Sequence, residues 1–391
     1  MILRNARLVF PDGIRDGFEI ETRDGKIAAI QERADTRAGE IIDLDGNYLA
    51  PGFVDLHVHG AFGRDTMEAS PEAFGAICGY HASGGTTSLL LTTATAPLEN
   101  IVDVLNAVHD CRSSIKQIAG VHVEGPFISQ AKRGAQRAEF ICDPTPQAVE
   151  QLLEHSDLIV RITIAPELPG ALDAIERFSR RGINVSGGHS DAWDEQARAA
   201  YGRGMRSVTH TFNCMSSARR AGIYRNAGLL EFALSEPQIS CELIADSHHA
   251  SPTLMKMLYR AKGAGGICLV TDATAGAGLP NESQFSLGGL NCVLRDGVCL
   301  VADGSALAGS ASRMIDLVQT MVHDVGLPLH EVVAMATVNP THAVALKRKG
   351  ELKIGCDADF VIISPELEVL QTFSGDRQIF NHGRAHANST A

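Results

Sequence analysis

What this chain lacks narrows its identity first. No apolar run approaches the roughly 20 residues that a helical membrane span requires, so no membrane partner is expected. The start, Met1-Ile2-Leu3-Arg4-Asn5-Ala6, has no basic region followed by an apolar core, which makes the cytoplasm the expected compartment. Nine cysteines are present, yet none forms a Cys-x-x-Cys pair. An odd, scattered set fits reduced thiols rather than a disulfide framework, and nothing marks Cys142 or Cys356 as a nucleophile. Positive charge is in deficit: 34 Lys and Arg against 46 Asp and Glu give a formal net charge of −12. That balance argues against nucleic acid or an anionic membrane as partner, and an anionic substrate would need local positive charge. The glycine-rich dinucleotide fingerprint is also missing.

What is present is an ordinary globular composition, 45% hydrophobic and 20% charged over 391 residues. That length allows one large domain with an accessory, or two ordinary ones. From residue 50 onward, β-rich apolar runs alternate with helix-period segments. The strand candidates are 52–59, 87–93, 118–124, 159–165, 183–189, 207–213, 240–246 and 266–272, eight in all. Helical stretches between and after them include 71–81, 100–111, 146–155, 172–180, 252–262 and 312–325. Eight strand–helix repeats predict an α/β fold of the (β/α)8 TIM-like barrel type. A doubly wound open sheet is the competing reading, weakened by the missing fingerprint.

Both ends have a different texture. Residues 1–49 contain short strands broken at Asp12-Gly13, Asp24-Gly25 and Asp45-Gly46, which suit tight hairpin turns. The tail repeats this at 350–354, 360–363 and 378–380. Neither end alone has enough strands to bury a face, so 1–49 and 345–391 are expected to form one small β-sandwich domain flanking a barrel of 50–344.

Metal-binding residue types recur at the ends of the strand-like runs: His57 and His59, Glu124, His189, His210 and Asp272. Alternation along a strand turns His57 and His59 the same way, so both can grip one ion. Each histidine alone is better explained by a hydrogen bond at a polar barrel mouth than by a metal. Gathered at the C-terminal ends of barrel strands, they are what a metal-dependent hydrolase needs. Two cations held close together need an anionic bridge. The fourth strand, from Arg161 to Ala165, has no lysine to be carbamylated, which leaves Glu124. His122 is the rival ligand, expected to orient rather than bind. Asp272 suits a ligand, a base, or both.

Several longer pieces carry a resemblance. They are Pro51-Gly52-Phe53-Val54-Asp55-Leu56-His57-Val58-His59-Gly60, Gly85-Thr86-Thr87-Ser88 and His122-Val123-Glu124-Gly125-Pro126-Phe127. Further on come Ser186-Gly187-Gly188-His189-Ser190, His210-Thr211-Phe212-Asn213-Cys214-Met215 and Ile244-Ala245-Asp246-Ser247-His248-His249. The last are Leu269-Val270-Thr271-Asp272-Ala273-Thr274 and Leu307-Ala308-Gly309-Ser310, with Gly350-Glu351-Leu352 to Ala358-Asp359 in the tail. With these motifs the chain resembles the amidohydrolase superfamily and, within it, the deacetylases of N-acetylglucosamine 6-phosphate.

The resemblance implies that Glu124, His189 and His210 form one metal site, that His57 and His59 complete a second, and that Asp272 is the catalytic aspartate. It implies one or two divalent ions, zinc foremost, with iron and manganese also compatible with such ligands. Asn213 and Cys214 would contact the sugar phosphate through their backbone, His248 and His249 would lie against substrate, and Leu307, Ala308 and Gly309 would close over the sugar. Three departures fall on the substrate side. Arg133-Gly134-Ala135-Gln136 has glutamine where the family has a histidine that polarises the acetyl carbonyl. Arg225 stands in Arg225-Asn226-Ala227-Gly228 instead of Arg-Glu-Pro-Gly, and the stretch before it is longer and carries Arg219 and Arg220. Ala135, Gln136 and Arg225 are retained as substrate contacts. The implied activity is hydrolysis of N-acetyl-D-glucosamine 6-phosphate to glucosamine 6-phosphate and acetate, by a homodimer. An epimeric or unphosphorylated N-acetyl sugar is the nearer alternative, and a non-catalytic barrel that only binds is the remote one.

Overall fold

The computed structural model describes residues 1–32 and 40–385. Residues 33–39 and 386–391, which sequence analysis assigns to the small β domain, lie outside the described residues.

Eight parallel strands form the central sheet in sequential order: β1 (Phe53–Val58), β2 (Thr86–Thr93), β3 (Ile118–Glu124), β4 (Ile159–Ile164), β5 (Asn184–Gly187), β6 (Met205–Val208), β7 (Ser240–Leu243) and β8 (Ile267–Leu269). The helices α1 (Pro71–Ser83), α2 (Leu98–Cys111), α3 (Pro146–Leu153), α4 (Ala171–Arg180), α5 (Asp194–Arg203), α6 (Leu229–Ser235), α7 (Pro252–Lys262) and α8 (Met314–His323) follow them in turn. Strong start signals set several of these helices. Ser70 caps α1 by accepting from the Ala73 N–H, Thr145 caps α3 likewise, and proline opens α1, α3 and α7.

Alternation along the strands sorts the side chains. Val121, Val123, Ile162 and Ile164 turn outward and join a single core with Phe74, Ile101, Val104 and Phe178 of the helices. Fully burying each such aliphatic contributes about 1.5–3 kcal/mol. The opposite face of the same strands carries His122, Glu124, Arg161 and Thr163, all buried. The sheet closes through the segment after β8. The His59 N–H donates to the Ala273 carbonyl at 2.8 Å and the Asp272 N–H to the His57 carbonyl at 2.9 Å. Asp55 staples the same seam, accepting from Thr271 Oγ1 at 2.6 Å and from the Thr271 N–H at 3.2 Å.

The termini do pair. A six-stranded sheet runs Arg377–Asn381, Val369–Ser374, Phe360–Ile363, Tyr48–Pro51, Arg7–Phe10, Gly13–Arg15. A four-stranded sheet runs Lys26–Glu32, Phe18–Arg23, Ile2–Arg4, Ile41–Asp43. Leu3, Leu8, Ile20, Ile27, Leu49, Phe360 and Phe373 make their shared core, separate from that of the barrel. Among the described residues no helix is long and apolar enough to cross a membrane.

The structure departs from the sequence reading in definite places. Asp24-Gly25, with φ of 51° and 70°, forms a two-residue hairpin turn. Asp45-Gly46 also turns left-handed, but it passes the chain from the four-stranded to the six-stranded sheet and makes no hairpin. Residues 350–354 are not a strand, while Val369–Ser374 is a strand not anticipated. A three-stranded meander (Gln284–Leu287, Leu290–Arg295, Val298–Val301) and a hairpin (Arg219–Ala221, Tyr224–Asn226) are further insertions outside the alternating pattern. The last strands are also shorter than expected, because the chain turns left-handed at His189 (φ 45°), His210 (φ 30°) and Asp272 (φ 49°).

Candidate active site

Those left-handed residues sit just past the strand ends and swing their side chains over the barrel mouth. Such a backbone conformation costs a non-glycine residue about 1–3 kcal/mol and is sustained where the surroundings over-determine it. Here the side chains converge on Glu124, the last residue of β3. Glu124 Oε1 lies 3.4 Å from His57 Nε2, 3.3 Å from His189 Nε2 and 3.2 Å from His210 Nε2. Its Oε2 lies 3.3 Å from His59 Nε2. Asp272 Oδ1 is 3.4 Å from the Nε2 atoms of both His57 and His59. Two groups result, His57–His59–Glu124 and Glu124–His189–His210, each with its ligand atoms within 4.8 Å of one another. Glu124 belongs to both.

The donor set fits divalent metal. His57 Nδ1 faces the Glu242 carboxylate at 3.3 Å and His189 Nδ1 faces the Lys132 carbonyl at 2.9 Å. Both partners only accept, so each Nδ1 carries the hydrogen and each neutral ring presents an Nε2 lone pair to the cavity. Glu124 Oε1, at which those lone pairs aim, is buried without a hydrogen-bond partner. Lone pairs crowded around an unpartnered carboxylate oxygen need positive charge between them, either a cation or a proton. Burial opposes a charged His57, but Asp272 and Glu124 outweigh it and hold the imidazole well above its ordinary pKa. Burial likewise opposes charge on Glu124, yet His57 and His189 hold it well below the carboxylate range.

Asp272 is similar: its burial is outweighed by His57 and His59, which bring its pKa down to about 2, so the group is an ionised acceptor at neutral pH. Asp246 accepts from His249 Nδ1 at 2.7 Å and from the His249 N–H at 2.8 Å, orienting that ring into the cavity. Against the effect of burial, the same carboxylate raises the His249 pKa.

Of the remaining expected contacts, Ala135, Gln136, Asn213, Cys214, His249, Leu307 and Gly309 line the cavity together with His59, Glu124, His189, His210 and Asp272. Ala308 and His248 need correction, and Arg225 and Gln136 are placed differently from expectation. Ala308 is fully buried behind the wall, its carbonyl accepting from Thr274 Oγ1. His248 is exposed, its N–H donating to Asp246, and does not line the cavity. Arg225 is exposed on the inserted hairpin, paired across it with Arg220, and does not line the cavity either. Gln136 does reach the site, but its amide nitrogen donates to Glu124 Oε2 at 2.8 Å while its oxygen accepts from the Thr95 N–H at 2.7 Å. Arg219 is committed elsewhere, held by Asp191 at 2.6 Å and stacked over Trp193 at 3.9 Å.

His122 is absent from both groups; its Nε2 bonds Thr163 Oγ1 at 2.8 Å beneath the His57 ring. Sequence reasoning missed Leu287 and Ala306, which line the cavity from the inserted meander and the loop after it. It also missed Glu242 and Arg161, buried charges inside strands. A charged residue within an otherwise apolar strand was the available signal.

With this geometry in view, comparison with known proteins is decisive. The model of the amidohydrolase family matches residues 48–381, most of the chain. The chain belongs to this family. Its members' chemistry uses divalent metal, and both candidate groups fall inside the matched region. An N-acetylglucosamine-6-phosphate deacetylase of Lysinibacillus sphaericus is 34% identical, with 96% of this chain and 97% of the relative covered. An N-acetylgalactosamine-6-phosphate deacetylase of Escherichia coli O157:H7 is 31% identical, covering 95% and 97%. The crystal structure of the N-acetylglucosamine-6-phosphate deacetylase of Pasteurella multocida superposes with a TM-score of 0.91 at 31% identity, covering 96% of this chain and 98% of that one.

Proposed function

We propose that this protein is a metal-dependent deacetylase that hydrolyses N-acetyl-D-glucosamine 6-phosphate to D-glucosamine 6-phosphate and acetate. The observation that carries this reading is the Asp272 carboxylate, 3.4 Å from His57 and His59 and in one cavity with the shared Glu124. Glu124, His189 and His210 would hold one divalent ion, and His57, His59 and Glu124 would hold a second where two are bound. Zinc is the expected ion, with iron and manganese compatible with the same ligands. A bound divalent cation supplies Lewis acidity, making water easier to deprotonate and the amide carbonyl easier to attack.

Asp272 does the proton work. It takes a proton from the attacking water as the new C–O bond forms at the acetyl carbon. It then gives that proton to the amide nitrogen as the C–N bond breaks, releasing acetate and the amine. His249 turns its Nε2 toward the substrate, with Asp246 holding its ring at Nδ1. Leu307 and Gly309 form the wall against the sugar, and Asn213 and Cys214 the wall toward its phosphate. The barrel is taken as 50–344, with 1–49 and 345–391 as the two parts of the accessory domain.

The runner-up substrate is N-acetyl-D-galactosamine 6-phosphate, supported by the likeness to the Escherichia coli enzyme. Acetate release from both epimers, with and without the 6-phosphate, decides between them. Highest kcat/KM on an unphosphorylated sugar would overturn the phosphate assignment altogether.

Arg225 and Arg220, opposite one another on the hairpin, are the positive charges proposed for the phosphate, since a guanidinium matches phosphate with paired donors. Arg225→Ala should raise KM for the 6-phosphorylated sugar well beyond any change for its unphosphorylated counterpart. Equal effects on both would show that this arginine has no part in phosphate binding. Exposed Ile223 and Tyr224 at the tip of the same hairpin (80% and 71% accessible) suit burial against a second copy in a homodimer, measurable by light scattering. A reducing, cytoplasmic setting is proposed, which suits nine cysteines without paired spacing.

Gln136 takes a role different from that of the histidine it replaces. Bonded at both ends, it holds Glu124 Oε2 in place, leaving one amide hydrogen for the substrate. Gln136→Ala should therefore weaken metal binding by roughly 10–100-fold, read by competition with a chelating dye. A variant with unchanged metal affinity and a raised KM alone would assign Gln136 to the substrate.

A further inference from the structure

Under the two metal groups lies a buried ion pair that the proposed chemistry leaves without a task. Glu242 on β7 and Arg161 on β4 are 1% and 0% exposed. Arg161 Nη2 lies 3.0 Å from Glu242 Oε1 as an ion pair without hydrogen-bond geometry, and donates its hydrogen bond to Ser186 Oγ at 2.8 Å. A buried ion pair is weak as a source of stability, because desolvating both charges offsets their attraction. The other oxygen is more informative. Glu242 Oε2 accepts the backbone N–H of His210 at 3.1 Å and lies 3.3 Å from His57 Nδ1. One oxygen thus touches a residue from each metal group. His57 is thereby set with its hydrogen on Nδ1 and its lone pair on Nε2. His210 is held by its N–H at the left-handed turn, φ 30°, that aims its ring at Glu124.

We propose that Glu242 is a positioning residue for the whole metal centre, presenting His57 and His210 as ligands while Arg161 anchors its far oxygen. The inference rests on the reading that these groups bind divalent metal. Every neighbour around the carboxylate is positive or a donor: the Arg161 guanidinium stands 3.0 Å from one oxygen as an ion pair, and the His210 N–H and His57 Nδ1–H face the other. Only a group that accepts on both sides satisfies them. Glutamine offers one accepting oxygen and one donating nitrogen, so either orientation sets donor against donor. The remaining relief is for His57 to move its hydrogen to Nε2, and a ring protonated there cannot bind metal.

The test uses the full chain, stripped by a chelator and titrated with Zn2+ alone. In Glu242→Gln, binding at the His57–His59 group should weaken by roughly 10–100-fold, with a smaller change at Glu124–His189–His210. Imidazole 15N spectra of the Zn2+-loaded protein should show the His57 Nδ1–H resonance displaced in the variant, a signature that a purely structural residue would not move. Because glutamine strands a donor in the core, a second variant guards against misfolding. Arg161→Met with Glu242→Met removes both charges together, which buried pairs commonly tolerate. It should keep the wild-type circular dichroism yet lose Zn2+ affinity at the His57–His59 group. Unchanged affinity with an unchanged His57 Nδ1–H resonance in the folded variants would overturn the proposal, as would equal loss at both groups accompanied by lost circular dichroism. Wild-type protein that takes up no Zn2+ would instead overturn the metal reading on which the proposal rests.

Discussion

Asp272→Asn is expected to leave a folded, metal-loaded protein whose kcat is lower by roughly a hundred- to ten-thousand-fold. The backbone at this position bonds on both sides, its N–H to the His57 carbonyl at 2.9 Å and its carbonyl to the Ser310 N–H at 2.8 Å. Neither bond involves the side chain. Asparagine is among the few residues that accept a positive φ readily, so the 49° found here adds little strain. What the change removes is the ability to take a proton from water and return it to the leaving amine. Circular dichroism, metal analysis and kcat measured on one preparation separate these effects. Near-normal turnover in a folded, metal-replete variant would move the base elsewhere. His249 is then the next candidate, since His122 is fully buried with its Nε2 on Thr163 and does not line the cavity.

Metal removal is expected to abolish activity, and adding back a divalent first-row ion to restore it. The shared position of Glu124 sharpens this. Because it belongs to both groups, Glu124→Gln should empty both, whereas His59→Ala should affect only the His57–His59 group. Ions bound to the folded state alone also stabilise it, by about 2.7 kcal/mol at a free concentration one hundred times Kd. The stripped protein should therefore melt at a lower temperature than the loaded one. Affinity should fall on acidification, since protons compete for each ligating Nε2. Full turnover in protein shown by elemental analysis to be metal-free would defeat the mechanism.

The barrel was legible in the sequence because its signal is repeated. Eight apolar runs alternating with helical segments can be counted, and an error of one or two residues at any boundary leaves the count intact. The small domain was legible in outline for the opposite reason: each end has too few strands to bury a face, so the ends must meet. Its details were not. Val369–Ser374 is a short segment, half of it apolar, whose place is fixed only when Phe360–Ile363 pairs with it, and the turn at Asp45-Gly46 looks the same whether the next strand returns to its own sheet or enters another.

By itself, the sequence determined the inventory of the site. His57, His59, Glu124, His189, His210 and Asp272 are each marked by their own short motif at a strand end, because the chemistry demands particular side chains and the fold demands that they follow a strand. Tertiary structure alone decided how that inventory is used. The left-handed turns at His189, His210 and Asp272 arise where the chain leaves the sheet, and an apolar run does not show where its last ladder bond lies. Gln136 bonds Glu124 rather than facing only the substrate, Ala308 falls behind the wall, and Arg225 stands on a hairpin outside the cavity. Glu242 reaches His57 across 185 residues of chain. Hydrogen bonds between segments so far apart leave no local trace in either one. They form only when closing the barrel brings β7 beside His57 and His210 and buries the Glu242 carboxylate between them and Arg161.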